Sequence, residues 1–119
     1  MPISIQKEKM QIAYKGTLHS VSLSDIEYVE ADEWRCKIYT NKQEFVCAVR
    51  LGALCSQLSQ YHILRCHKGF AVNLLRMKNI DSREVTLVSG KRIPVGRSYK
   101  LIVADQIVGK MGCPIHELL

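Results

Sequence analysis

No apolar run in this 119-residue chain approaches the roughly 18–20 residues that a membrane-spanning helix requires, so a soluble protein is expected. The five cysteines, Cys36, Cys47, Cys55, Cys66 and Cys113, form no Cys-x-x-Cys pair and no His/Cys cluster at zinc-ligand spacing, and their number is odd. No secretory signal is visible, since Met1 leads straight into alternating polar and apolar residues. These absences point to free thiols in a reducing cytoplasm, with no disulfide framework, no metal and no cofactor. Acidic residues are short as well: eleven Asp and Glu stand against seventeen Lys and Arg, a formal net charge of +6. Polyanions are the natural partners of such a surface. No repeat, linker or low-complexity tract divides the chain. Its length, with 47% hydrophobic residues, suits one domain with a real core and excludes two ordinary ones.

Most of what is present repeats with the period of two that marks half-buried strands. Met10, Ile12 and Tyr14 alternate with polar neighbours up to Lys15-Gly16, and a return segment from Leu18 through Val21 and Leu23 completes an opening hairpin. Ser24-Asp25 is the expected cap of a single helical turn, after which Ile26, Tyr28 and Glu30 lead to a polar stretch from Ala31 to Arg35. Cys36, Ile38 and Thr40 run to a turn at Asn41-Lys42, and Phe45, Cys47 and Val49 return as a second hairpin. The period then changes. Leu51, Leu54, Cys55, Leu58 and Tyr61 or His62 have the i, i+3, i+4, i+7 spacing of one helix face, about three turns long. Ile63 to Lys68 alternates again until Gly69 allows a bend before Phe70 to Asn73. Val85 and Leu87 predict a strand turned by Ser89-Gly90 and answered by Ile93 and Val95. Ser98 is the expected N-cap of a terminal helix carrying Leu101, Ala104, Ile107, Val108 and Met111, ended by Gly112 and Pro114. The fold class is mainly β, a β-rich α+β.

Cations gather late in the chain: Arg65, His67, Lys68, Arg76, Lys78, Lys91, Arg92, Arg97 and Lys100 fall between residues 65 and 100, opposed only by Asp81 and Glu84. They either solvate exposed strand faces or converge on a polyanion. Gly69, Gly90 and Gly96 mark strand ends, where an Arg or Lys can reach a phosphate or a guanine edge while apolar neighbours hold the strand in a core. Cys66 and His67 are strand neighbours that project to opposite faces, so they cannot form a nucleophile-base dyad. Cys66 is expected to be buried and His67 to be a half-exposed anchor or phosphate contact. His19, His62 and His116 have no nearby ligand pair. Glu27, Glu30, Asp32 and Glu33 read as a solvated acidic run, and Ser89-Gly90-Lys91-Arg92 lacks the earlier glycine of a phosphate loop. Trp34, between Glu33 and Arg35, either folds back on the sheet, the commoner outcome, or helps pack against a nucleic-acid backbone. Nothing assembles a nucleophile, a base and a pocket, so an enzyme is not expected.

Four segments together carry a resemblance to a known family: Ile26-Glu27-Tyr28-Val29-Glu30, the run from Leu64 to Asn73, Ile80, and Gly90 to Tyr99. From about Met10 to Leu101 the chain resembles the LytTR domain, the β-rich DNA-binding module of bacterial response regulators. The resemblance implies an elongated stack of small antiparallel β-sheets with one short helix. Residues 1–103 form that domain, and the tail over 104–119 is longer than the domain requires; the apolar face of its helical pattern is expected to dock on the core, the alternative being a dimer contact. It implies strand-end loops that enter successive major grooves and read bases from three places: the loop around Arg35 and Cys36, the turn at Lys68, and the Arg97 segment. Cys is a poor base reader, and Arg35 or Lys37 stands ready to take that contact. Lys37, His67, Gly69, Lys78, Ser98, Tyr99 and Lys100 are the phosphate contacts expected. The implied partner is double-stranded DNA at paired direct-repeat sites, with a second copy on the DNA or a regulatory partner protein. The implied function is a sequence-specific transcription regulator; the alternative is a protein-interaction module of the same fold that modulates another regulator without reading DNA. Family members carry a receiver domain ahead of this module, whereas here only the residues before Met10 precede it. A stand-alone regulator or a fragment of a longer chain would account for that, and Met1 leans toward the first.

Overall fold

The structure, a computed structural model, describes residues 3–6 and 8–111; Met1, Gly112, Cys113, Pro114 and His116 lie outside the described residues. β1 (Ile3–Gln6), not among the predicted strands, pairs antiparallel with β2 (Lys9–Tyr14), which pairs with β3 (Thr17–Ser22). The β2–β3 hairpin turns where predicted. Lys15 (φ 51°) and Gly16 (φ 75°) both take left-handed backbone, which lets a two-residue loop follow the strand twist. The single helical turn is a 3-10 turn over Leu23–Asp25, with Ser24 inside it and Ser22 at the cap position making no side-chain cap bond. This corrects the expected Ser24 cap.

β4 (Ile26–Asp32), β5 (Arg35–Thr40) and β6 (Glu44–Cys47) follow as a meander. The polar stretch before Cys36 is shorter than the sequence suggests, because Asp32 still pairs with Arg35 and only Glu33 and Trp34 remain in the turn. α1 (Leu51–Leu58) continues into a 3-10 turn at Ser59–Tyr61, so the predicted three-turn helix is part α and part 3-10. β7 (Ile63–His67) and β8 (Phe70–Asn73) complete a five-stranded sheet in the order β6-β5-β4-β8-β7. β9 (Met77–Ile80), also not predicted, β10 (Glu84–Leu87) and β11 (Arg92–Pro94) form a third sheet. A 3-10 turn over Arg97–Tyr99 leads into α2 (Lys100–Met111); Ser98 lies within that turn, so it is not the N-cap of the helix.

The five-stranded sheet is buried on both faces, and the alternation along its strands divides two cores. Val29, Cys36, Ile38, Phe45 and Ile63 face one way, against Met10, Ile12 and Val21 of the first sheet and Leu51, Leu54 and Leu58 of α1. Leu64, Cys66 and Val72 face the other way, against Val85, Leu87 and Ile93 of the third sheet and Val103 and Ile107 of α2. α2 thus crosses residues 103 and 104 without a break, its apolar face docked on the second core. Asn73 is buried where these layers meet. Its Nδ2 donates to the Ile26 carbonyl at 2.8 Å and its Oδ1 accepts from the Leu75 N–H at 3.0 Å, so the end of β8 is tied to the start of β4 and no polar atom is left unpaired. Stacking three small sheets makes the molecule elongated, 46 × 28 × 25 Å, as the resemblance implies. No helix among the described residues is long and apolar enough to cross a membrane.

Candidate nucleic-acid interface

Two backbone hydrogen bonds gather three strand-end segments at one end of the stack. The Ala31 N–H donates to the Gly69 carbonyl at 2.8 Å, which joins the β4–β5 hairpin tip to the Lys68-Gly69 turn between β7 and β8. The Gly96 N–H donates to the Cys66 carbonyl at 2.8 Å, which brings the segment after β11 against the end of β7. Residues 33–35, 67–69 and 96–99 are neighbours for this reason, although they are far apart in sequence.

Arg65 fixes the arrangement from within. Its Nη2 donates to the Lys68 carbonyl at 2.6 Å, and its guanidinium lies 6.0 Å from the centre of the Tyr99 ring, so one side chain touches two of the three segments. Charge-assisted donation of this kind is about twice as strong as a neutral hydrogen bond. The Gly69 N–H donates to His67 Nδ1 at 3.0 Å, which makes that nitrogen the acceptor and leaves a neutral ring its proton on Nε2. In the sequence Arg65 stands as one more cation of the 65–100 group. Its signal was an arginine set between Leu64 and Cys66 on a strand that is buried on both faces, where a charged group needs a structural partner.

The expected contact residues fall into distinct environments. Lys68 and Arg97 are exposed and, among the described residues, have no acidic partner within ion-pair distance. Arg76 is instead paired with Asp25 at 3.6 Å and Arg92 with Glu84 at 3.4 Å, while Lys91 lies 5.5 Å from the Tyr28 ring centre. Arg35 is partly engaged: its Nε donates to Asp32 Oδ2 at 3.2 Å, and its guanidinium lies 5.7 Å from the Trp34 ring. Ser98 is exposed; Tyr99, Lys100 and His67 are half-buried beside it, and Lys37 is half-buried on β5 opposite Glu30.

Four expectations need correction. Cys36 is 0% exposed and its thiol donates to the Val49 carbonyl at 3.0 Å, so it belongs to the first core and cannot touch a base. Burial, helped by the neighbouring Cys47 and Cys55, pushes that thiol up to about 12. Gly69 has no N–H free for a phosphate, since His67 and Ala31 take both of its backbone groups; its part is to shape the turn. Lys78 is not brought to this end. Strand register sets Asn79 beside Thr86 and Met77 beside Leu87, near the Ser89-Gly90 turn, whereas Gly96 follows Pro94 at the Glu84 end. Trp34 does not fold back on the sheet: it stands 53% exposed at the hairpin tip. Cys66 is buried as expected, and burial pushes its thiol up to about 12.

Unpaired cations on two of three joined strand-end turns, Lys68 and Arg97, with Arg35 partly engaged on the third, mark a β-module with a surface suited to a polyanion. Residues 16–107 match the family model of the LytTr DNA-binding domain, and the chain belongs to that family. The transcriptional regulatory protein YpdB of Escherichia coli is 36% identical over 59 residues, which cover 50% of this chain and 24% of YpdB. The sensory transduction protein LytT of Enterococcus faecalis is 23% identical over 99 residues, covering 79% of this chain and 41% of LytT. The chain therefore matches about a quarter of one relative's length and two-fifths of the other's. A solved LytTr DNA-binding domain of a Bacillus cereus response regulator superposes with a TM-score of 0.74 at 22% identity, covering 87% of this chain and 99% of that one. That likeness is one of fold.

Proposed function

We propose that this domain binds double-stranded DNA sequence-specifically and regulates transcription, with the joined turns at residues 33–35, 67–69 and 96–99 entering the major groove. The observation that carries the reading is the freedom of Lys68 and Arg97 from acidic partners at the end where the Ala31–Gly69 and Cys66–Gly96 hydrogen bonds hold the turns together. Arg97 is the chief base reader, because a guanidinium fork matches O6 and N7 of guanine. Lys68 and Arg35 are the further base contacts, Arg35 at the loss of part of its hold on Asp32. Lys37, His67, Ser98, Tyr99 and Lys100 anchor phosphates, and Lys78 does so only if the duplex runs along the third sheet. Residues 1–103 carry this surface, and of the extension over 104–119 the described helical part supports it through Ile107, which packs in the second core. Paired direct repeats would seat two copies on one duplex.

Paired substitutions test the assignment. Arg97→Ala is expected to lower affinity for the preferred duplex by roughly 1–3 kcal/mol and to relax the base preference at one position, whereas Lys100→Ala weakens all sequences alike. Equal losses on preferred and random duplex for both variants would contradict it.

A second reading, a protein-interaction module, is favoured by one observation: Leu101, Ile102 and Val108 are exposed on the outer side of α2. Light scattering on the isolated chain shows whether this face drives self-association, which Val108→Glu should then abolish, and a truncation after Val103 that leaves DNA binding intact would weaken this reading.

A further inference from the structure

We infer that Trp34 reads a thymine, its ring packing on the C5-methyl group exposed in the major groove. The inference rests on the proposed docking of this end of the molecule on DNA and adds a base and a chemistry to it. Trp34 is the single tryptophan of the chain and occupies the second position of a two-residue turn, where more than half of it is open to water. The turn is held against its own preference. Glu33, a residue with a Cβ, sits at φ 58°, in the left-handed region that glycine favours. The Asp32–Arg35 ion pair and the Ala31–Gly69 hydrogen bond close the hairpin around it. Strain of this sort persists where surrounding structure over-determines it, and it gathers at functional positions.

Charge then limits what the tip can meet. Glu33 is exposed with no ion pair among the described residues, and Asp32 is the only acid beside it that a cation neutralises. A carboxylate at the turn repels phosphate oxygens, so this hairpin is poorly made to grip the DNA backbone. Its neighbour across the Ala31–Gly69 bond is the turn that carries His67, which anchors a phosphate, and Lys68, which reads a base. With that turn at the groove, the hairpin tip joined to it meets base edges. Among the groups in the major groove, the thymine methyl is the apolar one. Arg35 lies over the Trp34 ring at 5.7 Å and is bonded to Asp32, so the indole is positioned before any duplex arrives.

The probe is a 30-base-pair duplex recovered from a random library by the full chain, compared with the same duplex carrying deoxyuridine in place of every thymidine. Pairing is kept and only the methyl groups are lost. The expected result is binding about fourfold weaker for each methyl contacted. The variant Trp34→Ala should bind both duplexes alike, and binding of the thymidine duplex should protect the lone tryptophan emission from acrylamide. Trp34→Phe, which keeps a ring at the turn, should retain part of the discrimination and guards against a folding defect in the alanine variant. If the unaltered chain prefers the selected duplex to a scrambled one yet ignores the methyl groups, or if Trp34→Ala keeps the preference for thymidine, the inference falls while DNA reading stands. If no duplex is selected at all, both fall together.

Discussion

Gly96 donates its amide N–H to the carbonyl of Cys66 at 2.8 Å, and this contact sets the Arg97 segment against the end of β7. A Cβ on Gly96 would stand 3.6 Å from His67 Cα across the two segments, an ordinary contact, and 3.2 Å from Tyr99 Cδ2 within its own segment, so the Tyr99 ring is what first limits the space at this glycine.

The approach predicts graded substitutions. Gly96→Ala asks Tyr99 to give by a few tenths of an ångström and should be mild. Gly96→Val adds branched bulk at the same point and should destabilise by about 1–3 kcal/mol. It should also weaken DNA binding beyond that loss, because Arg97 is carried away from Lys68. Urea unfolding and duplex titration of both variants check this; a valine variant that binds like the unaltered chain would show that the contact does not set the interface.

Arg65, half-buried on β7, is engaged with the Lys68 carbonyl, so it should act as a positioning residue. Arg65→Ala should lower stability by about 1.5–3 kcal/mol through loss of a charged hydrogen bond, and lower DNA affinity with it. Its log-log salt slope should stay unchanged. Lys100→Ala should instead reduce that slope by about 0.9, as removal of one phosphate contact does. A slope change in the Arg65 variant would mean that it touches the DNA itself.

Burial raises the Cys36 and Cys66 thiols from 9.0 to about 12. In the unfolded chain they ionise near 9, while in the folded protein they keep their protons, so folding stability is full below pH 9 and falls as pH rises from about 9 toward 12. Tyr28 and Tyr39, raised first by burial and then by neighbouring carboxylates such as Glu30, act in the same sense. The urea midpoint should therefore be lower at pH 10.5 than at pH 7, and Cys36→Ala should reduce the difference. A thiol reagent at pH 8 should leave Cys36 and Cys66 unmodified in the folded protein and label both in urea. Rapid labelling of the folded protein would show that they are reachable.

The parts of this fold that are legible in the sequence are those where one physical constraint acts alone. Met10, Ile12 and Val21 alternate because one face of their hairpin is buried, and Lys15-Gly16 marks its turn because both positions need left-handed backbone. β9 escapes because Lys78 and Asn79 are both exposed and Met77 and Ile80 are only half-buried, which leaves no alternation to read. The burial of Cys36 is written in its alternation with Ile38, two buried positions on one face of β5. The roles of Arg65 and Gly96 depend on contacts with Lys68, Tyr99 and Cys66 across strands, and periodicity along one segment carries no information about those. Large aromatics usually bury, which favours Trp34 folding back on the sheet; the two-residue turn, too short to fold back, decides otherwise.

The most direct test of the central claim is the affinity of the chain for a duplex selected from a random library, against a scrambled duplex of the same composition at about 150 mM salt. Sequence-specific reading predicts a ratio of at least ~10³, a selected motif of two short half-sites about one helical turn apart, and loss of most of that ratio in Arg97→Ala. A ratio near one, with binding that only follows salt, would contradict it.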